Sequence, residues 1–187
     1  MKKQILIIAC MAWAAIGWSQ DYQLRKTNST VKVEGTSTLH DWTLDAEEMS
    51  GKAGVTLTDG KVASIEKLNF IVKVEGLKSH KSGMDKNTNE ALKSEQHPNI
   101  TYEFARVISI TDTKDGQLIK TGGRLTIAGV TKSVYLDVIA KTTDGVAFQG
   151  STTFKMSDYG VKPPVALMGT VKTGDEVTIK FNVNYSK

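Results

Sequence analysis

The chain has 187 residues, of which 40% are hydrophobic and 24% are charged, and its formal net charge is +4. Residues 1–19 contain two lysines and no acidic residue, so the charge of the remainder is only +2. A nearly balanced chain without a basic stripe between aromatic residues does not favour nucleic-acid binding, and its length suits a single domain with a hydrophobic core.

The chain begins with a short apolar segment. Lys2 and Lys3 precede the apolar residues 5–16, and Gly17 and Ser19 are small residues at the positions that a signal peptidase reads. The apolar run is shorter than the roughly 20 residues that a membrane-spanning helix needs. Residues 1–19 are therefore predicted to be a cleaved secretory signal, and residues 20–187 to form one folded domain.

The only cysteine, Cys10, lies within this predicted signal. An exported protein of this size without disulfides is typical of the bacterial envelope, which predicts a periplasmic or secreted protein that is soluble rather than membrane-spanning. Ile8, Ala9 and Cys10 also resemble a lipoprotein cleavage site, although only nine residues precede the cysteine.

Apolar and polar residues alternate over most of the remaining chain, which is typical of β-strands with one buried face. The first such strand has apolar residues at odd positions around Val31, and the next has them at even positions within residues 42–46. A turn, bulge or short crossover is expected between the two, because the parity changes. An Asp-Gly pair at residues 59–60 then predicts a hairpin before a third alternating strand at residues 68–74.

A helical pattern interrupts the strands only once. Met84, Thr88 and Leu92 recur at a spacing of four, which predicts one short helix near residues 84–94. Asp85 is expected to cap its first turn. A His-Pro pair just beyond the segment ends the helix, because proline disfavours helical geometry in the residue before it.

Alternation resumes at Ile100 and is expected to keep its parity through Ile108 and Ile110. Further alternating segments follow at residues 125–127, 134–140, 146–156 and 177–185. Gly122 and Gly123 are expected to form a turn. About eight to ten strands in series predict an all-β fold that closes into a barrel or a sandwich, and about eight strands suffice to enclose one small ligand.

His40 and Asp41 are the most enzyme-like pair, since a histidine base oriented by a carboxylate recurs in hydrolases. Adjacent residues on a strand point to opposite faces, however, and the chain has no nucleophile elbow. His40, His80 and His97 share no metal-binding spacing. No catalytic residue, metal site or cofactor is therefore predicted.

Four segments, in order along the chain, resemble the YceI-like family. They are residues 36–53 (TSTLHDWTLDAEEMSGKA), 83–104 (GMDKNTNEALKSEQHPNITYEF), 123–134 (GRLTIAGVTKSV), and 157–164 (SDYGVKPP) followed by 174–183 (GDEVTIKFNV). Members of this family are similar to lipocalins and are described as polyisoprenoid-binding proteins of the bacterial envelope. The resemblance implies a lipocalin-like antiparallel β-barrel of about eight strands around an elongated apolar tunnel, capped or flanked by the helix.

The large inward-facing residues of these elements are the candidate ligand-binding residues of the tunnel. They are Trp42, Leu44, Leu68, Phe70, Val72, Met84, Leu92, Ile100, Tyr102, Phe104, Leu125, Ile127, Phe148, Phe154, Tyr159 and Phe181. Lys81 and Lys86, beside the helix, are candidate contacts for an anionic head group, or else belong to an ordinary solvated surface. The predicted partner is an isoprenoid, a quinone-like molecule or another long-chain lipid, with a homodimer left open.

Two other functions stay open at this point. An envelope stress or structural protein would have a filled barrel and act through a protein partner. The low aromatic content of 7% favours this role, because large lipid pockets are usually lined by aromatic residues. An enzyme acting on envelope lipids would need His40, Asp41 or the lysines to converge on one pocket. A continuous apolar void would favour lipid binding, and a packed interior would favour the structural role.

Overall fold

The computed structural model describes residues 20–166 and 169–187. The predicted secretory signal at residues 1–19 lies outside the described residues and stays a prediction. The strands are β1 Gln20–Leu24, β2 Thr30–Ser37, β3 Trp42–Ala46, β4 Met49–Thr58, β5 Lys61–Lys73, β6 Leu77–Lys78, β7 Asn99–Thr113, β8 Gly116–Ile127, β9 Val130–Lys141, β10 Val146–Lys155, β11 Val165–Ala166 and β12 Val171–Ser186. The α-helix of the described part, α1, spans Ser82–Leu92, and 3₁₀ turns lie at Lys26–Asn28, Val74–Gly76 and Met156–Tyr159.

Eight of these strands close into an antiparallel ring. Their order around the ring is β1, β4, β5, β7, β8, β9, β10 and β12, and β12 pairs with β1 to complete it. β2 pairs with the neighbouring stretch of the same β12 edge, and β3 and β6 continue the sheet from β2. The predicted antiparallel barrel of about eight strands with one short helix is confirmed.

The barrel is packed solid at the end away from α1, which we call the closed end. Its most deeply buried side chains are Tyr22, Ala53, Val55, Val62, Ile119, Ala140, Val146 and Tyr185, each 3% exposed or less. β5 pairs with β7 only over Asn69–Lys73, so the two strands separate toward this end. Gln117 on β8 bridges the separation: its Oε1 accepts the backbone N–H of Val62 at 2.7 Å, and its Nε2 donates to the Val62 carbonyl at 3.2 Å.

The expectation that the alternation of β7 continues unchanged through Ile108 is wrong. Register shifts in the β7–β8 pair place one bulge between Phe104 and Arg106 and a second between Val107 and Ser109. The first bulge reverses the parity, so Val107 packs against the core while Ile108 is 51% exposed. The second restores it, and Ile110 packs inward as expected.

The expectation that Asp85 caps the first turn of the helix is also wrong. α1 begins at Ser82, before Asp85, and Asp85 Oδ1 accepts hydrogen bonds from the backbone N–H of Ser79 at 2.7 Å and from its hydroxyl at 2.6 Å. Asp85 therefore ties α1 to the segment that precedes it. The helix ends at Leu92 because Lys93 adopts a left-handed conformation with a φ of 55°.

Candidate functional site

The end of the barrel beside α1 is hollow. A cavity of about 620 Å³, the outer cavity, lies between α1, the inner faces of β3 and β12, and the segment that follows β10. A second cavity of about 130 Å³, the inner cavity, lies deeper in the barrel between β5, β7, β8, β9, β10 and β12. The ring is thus filled at one end and open inside at the other.

All sixteen predicted tunnel residues line one or both of these cavities. Trp42, Leu44, Met84, Leu92, Ile100, Ile127, Phe154 and Tyr159 line the outer cavity. Leu68, Phe70, Val72, Ile100, Tyr102, Phe104, Leu125, Phe148 and Phe181 line the inner cavity. Because alternate residues of a strand face the same side, one parity of each strand supplies this lining. Contact of these side chains with a ligand is a proposal, taken up below.

A 3₁₀ turn closes a gap in the wall of the hollow end. β9 and β10 pair only between Val138–Lys141 and Ala147–Gly150, and they separate beyond that point. Tyr159, in the turn after β10, is 2% exposed and packs edge-on against Phe154 with ring centroids 5.1 Å apart. Burial raises the pKa of the Tyr159 hydroxyl, so that group stays neutral at physiological pH.

Lys132 holds the same turn from outside. Its Nζ lies 6.0 Å from the ring centroid of Tyr159 and 3.7 Å from Oδ1 of Asp158. Both ion-pair side chains are about half exposed, so the pair orients the turn more than it stabilises the fold.

Polar side chains gather at the mouth of the outer cavity. Lys81 and Lys86 both line it, as does His40. Lys86 Nζ lies 3.7 Å from Glu90 Oε1, whereas Lys81 makes no ion pair with any described residue. A cation without a protein partner at the mouth of an apolar cavity is suited to an anionic or strongly polar group of a ligand.

The three histidines of the described chain lie in different surroundings. His40 Nδ1 lies 2.7 Å from the backbone carbonyl oxygen of Asp41, and the Asp41 side chain is absent from the lining of the outer cavity. His80 Nε2 lies 3.9 Å from Asp45 Oδ2 on β3, whereas the His97 ring lies against Gly129, in the turn between β8 and β9. Among the residues that the structure describes, no group of three histidine, cysteine or acidic side chains could hold a metal ion.

The expected turn at Gly122 and Gly123 is wrong, because both residues lie within β8. A Cβ atom at Gly123 would lie 2.5 Å from the hydroxyl oxygen of Tyr102, so glycine makes room for that ring inside the barrel. Burial raises the pKa of the Tyr102 hydroxyl. A glycine in a strand that faces a large aromatic residue is the signal that could have indicated this packing.

Several lining residues were not named individually among the predicted tunnel residues, although some lie on the predicted inward faces of residues 146–156 and 177–185. They are Val33, Ile65, Leu77, Val134, Leu136, Met156, Val161, Val171, Val177 and Ile179. Val177 and Ile179 share the parity of Phe181, so their position was available from the pattern of the last strand. Leu77 and Val161 follow 3₁₀ turns. The sequence has no periodic pattern there, so the direction of these side chains could not be predicted.

A closed antiparallel ring with an apolar hollow at one end defines a lipocalin-like barrel. The family model described as the YceI-like domain matches residues 22–185. The chain therefore belongs to the YceI-like family. None of the curated proteins matches it. In the described part of the chain, no helix has the length and apolar character needed to cross a membrane.

Solved structures share this fold. Burkholderia cenocepacia BcnA superposes with a TM-score of 0.69 at 16% identity, over 88% of this chain and 99% of BcnA. A polyisoprenoid-binding domain from Saccharophagus degradans, implicated in plant cell wall breakdown, gives 0.64 at 14% identity over 88% and 97%. The Campylobacter jejuni YceI protein gives 0.59 at 19% identity over 77% and 84%. At these identities the likeness establishes the fold alone.

Proposed function

We propose that this protein binds a long apolar lipid, isoprenoid or quinone-like, inside the hollow end of its barrel. The observation that carries the proposal is the outer cavity. Its volume of about 620 Å³ falls within the range of small-molecule sites, and most of its lining is apolar. Protein interiors are normally close-packed, with few voids larger than a water molecule, so a hollow of this size favours an occupant. The polyisoprenoid-binding description of the Saccharophagus degradans domain agrees with such an occupant.

Burial of the chain would supply the affinity. Each methylene-sized group moved from water gains about 0.8 kcal/mol, while association costs roughly 4–15 kcal/mol. A chain of about twenty buried carbons would gain about 16 kcal/mol by the same measure, which exceeds that cost. No catalytic group is needed for this function.

The polar end of the lipid would lie at the mouth, close to Lys81 and Lys86. Lys81 has no ion-pair partner among the described residues, so its ammonium group is available to a phosphate or another polar head group. The predicted secretory signal supports action outside the cytoplasm, in the bacterial envelope or in the medium.

The alternative of a filled barrel that acts through a protein partner is less favoured. The barrel interior is packed at the closed end, whereas the end beside α1 encloses the outer cavity. A structural role would not require a hollow beside α1.

The test is to purify the protein from its own cells and to identify co-purifying lipid by native mass spectrometry and solvent extraction. Ala91 lies on α1 and lines the outer cavity, so the phenyl ring of Ala91→Phe should obstruct the cavity and reduce the amount of bound lipid. Ala105 is exposed on β7, and Ala105→Phe is the matched control that should retain it. If the purified protein carries no lipid and labelled prenols do not bind to it, the proposal is wrong.

A further inference from the structure

Two isoleucine side chains border both the outer cavity and the inner cavity. Ile100 and Ile179 line both cavities, which places them at the boundary between the two. Ile100 lies on β7 and Ile179 on β12, and these strands are four positions apart in the ring of eight. Strands four apart in an eight-stranded ring lie on opposite walls, so the two side chains face each other across the interior. We call them the isoleucine partition.

The volume above the partition sets the approximate length of chain that fits there. If each non-hydrogen atom takes up about as much room as a water molecule, ~30 Å³, the outer cavity of about 620 Å³ holds about twenty atoms. That corresponds to a chain of about four isoprene units, each of five carbons. The inner cavity of about 130 Å³ has room for about four atoms by the same measure, less than one further unit.

The closed end sets the final limit. Ile119 and Val146 there are fully buried, and the Gln117 bridge to Val62 ties β5 to β8 below the inner cavity. A chain that entered from the mouth would therefore meet the partition first and the packed closed end soon after it.

We infer that Ile100 and Ile179 stop the ligand at about four isoprene units, and that the protein thereby selects lipids by chain length. This inference rests on the proposed function and deepens it. Units beyond the fourth stay at the mouth, where they gain little from burial. Removing the partition joins the two cavities. The volume of the inner cavity and the volume of the removed isoleucine side chain together then admit about one more unit.

The experiment is isothermal titration calorimetry of the full chain with prenyl monophosphates of two to six isoprene units, so that the head group stays constant. For the unaltered protein, affinity should rise by about tenfold per unit up to four units and then level off, because the net gain per atom of a ligand of this size is well below the gross transfer value. For Ile179→Ala the rise should continue to five units, with the five-unit compound bound about tenfold more tightly than by the unaltered protein. The matched control is Ile71→Ala, an isoleucine of β5 that lines neither cavity, and its plateau should stay at four units.

The possible outcomes distinguish this inference from the proposed function. If prenyl monophosphates bind but Ile179→Ala leaves the plateau at four units, the partition does not set the length and the inference is overturned. The same follows if the affinity of the unaltered protein keeps rising beyond four units. If no compound of any length binds, the proposed function itself fails. Ile179→Val removes a single carbon and should shift the plateau in the same direction. If Ile179→Ala does not fold, the plateau of Ile179→Val is compared with that of the unaltered protein instead.

Discussion

The indole ring of Trp42 lies directly against Gly35, its pairing partner on the neighbouring strand. A Cβ atom at residue 35 would lie 2.6 Å from Cε2 of the indole, and the ring Nε1 donates to the carbonyl of Thr36 at 2.9 Å. Glycine at position 35 and this hydrogen bond together fix the ring as part of the wall of the outer cavity. Of the three tryptophans, the other two lie within residues 1–19, so Trp42 can report on the cavity once those residues are removed.

Gly35→Ala should displace Trp42 and weaken both the fold and ligand binding. Overpacking at such a contact costs about 1–3 kcal/mol of the free energy of unfolding. Urea denaturation followed by tryptophan fluorescence measures this loss. Gly83, on α1, has no atom within 4 Å of a built Cβ, so Gly83→Ala is the control and should leave the stability unchanged or raise it by up to ~1 kcal/mol. Equal stabilities of the two variants would contradict this account of Trp42.

Lys81→Ala should weaken the binding of anionic lipids and leave neutral ones unaffected. An exposed charge interaction is worth up to about 1 kcal/mol, so affinity for a prenyl monophosphate should fall by about fivefold, and affinity for the corresponding prenol should not change. Calorimetry at low and high salt measures both, and added salt should remove most of the difference. Lys114 lies in the turn between β7 and β8 at the other end of the barrel, so Lys114→Ala is the control. A parallel loss for the prenol would show that Lys81 acts on the cavity's shape instead.

Gln117→Ala should destabilise the closed end without changing ligand affinity. The substitution leaves the buried backbone N–H and carbonyl of Val62 without partners, which costs about 1–3 kcal/mol for each unsatisfied group. Urea denaturation should show the loss, and amide hydrogen exchange at Val62 should become faster. Gln149→Ala on the exposed face of β10 should be neutral. An altered chain-length preference in Gln117→Ala would mean that the closed end also contributes to the ligand site.

Two serine–aspartate pairs at the hollow end make its stability depend on pH. Hydrogen bonds from Ser79 lower the pKa of Asp85 below its ordinary value of 3.8, and hydrogen bonds from Ser157 do the same for Asp175. The pKa of each aspartate is lower in the folded protein than in the unfolded chain. The contribution of these contacts to the free energy of unfolding is therefore present above about pH 4, and it is lost as the pH falls through the lowered pKa values of the folded protein. The pairs tie down α1 and the 3₁₀ turn that carries Tyr159.

The double variant Asp85→Asn, Asp175→Asn should therefore melt at a lower temperature than the unaltered protein at pH 7, and the two melting temperatures should converge between pH 5 and pH 2. Thermal unfolding followed by circular dichroism at a series of pH values measures this. Asp115→Asn, in the turn at the other end of the barrel, is the control. Its melting temperature should change with pH in parallel with that of the unaltered protein. A constant difference across the whole pH range would show that the aspartates act through shape and not through charge.

Much of the site could be predicted because β-strands alternate. Phe148, Phe154 and Phe181 fall on the inward parity of two strands that pair residue for residue, and each lines one of the cavities. The prediction failed at Ile108, where two bulges shift the register, and at Gly123, where a strand glycine makes room for Tyr102. Bulges and close approaches depend on the partner strand, and a single strand's own pattern does not report them.

The sequence by itself determined which face of a strand is apolar wherever the alternation is unbroken, and where the one described helix lies. It therefore determined most of the side chains that point into the barrel. Only the tertiary structure decided which of those side chains pack against one another and which enclose space. Ile119 and Ile179 are both inward-facing isoleucines, yet one is fully buried at the closed end and the other borders two cavities. The difference arises from ring closure, because closure sets which strands face each other across the interior and how far apart their walls lie.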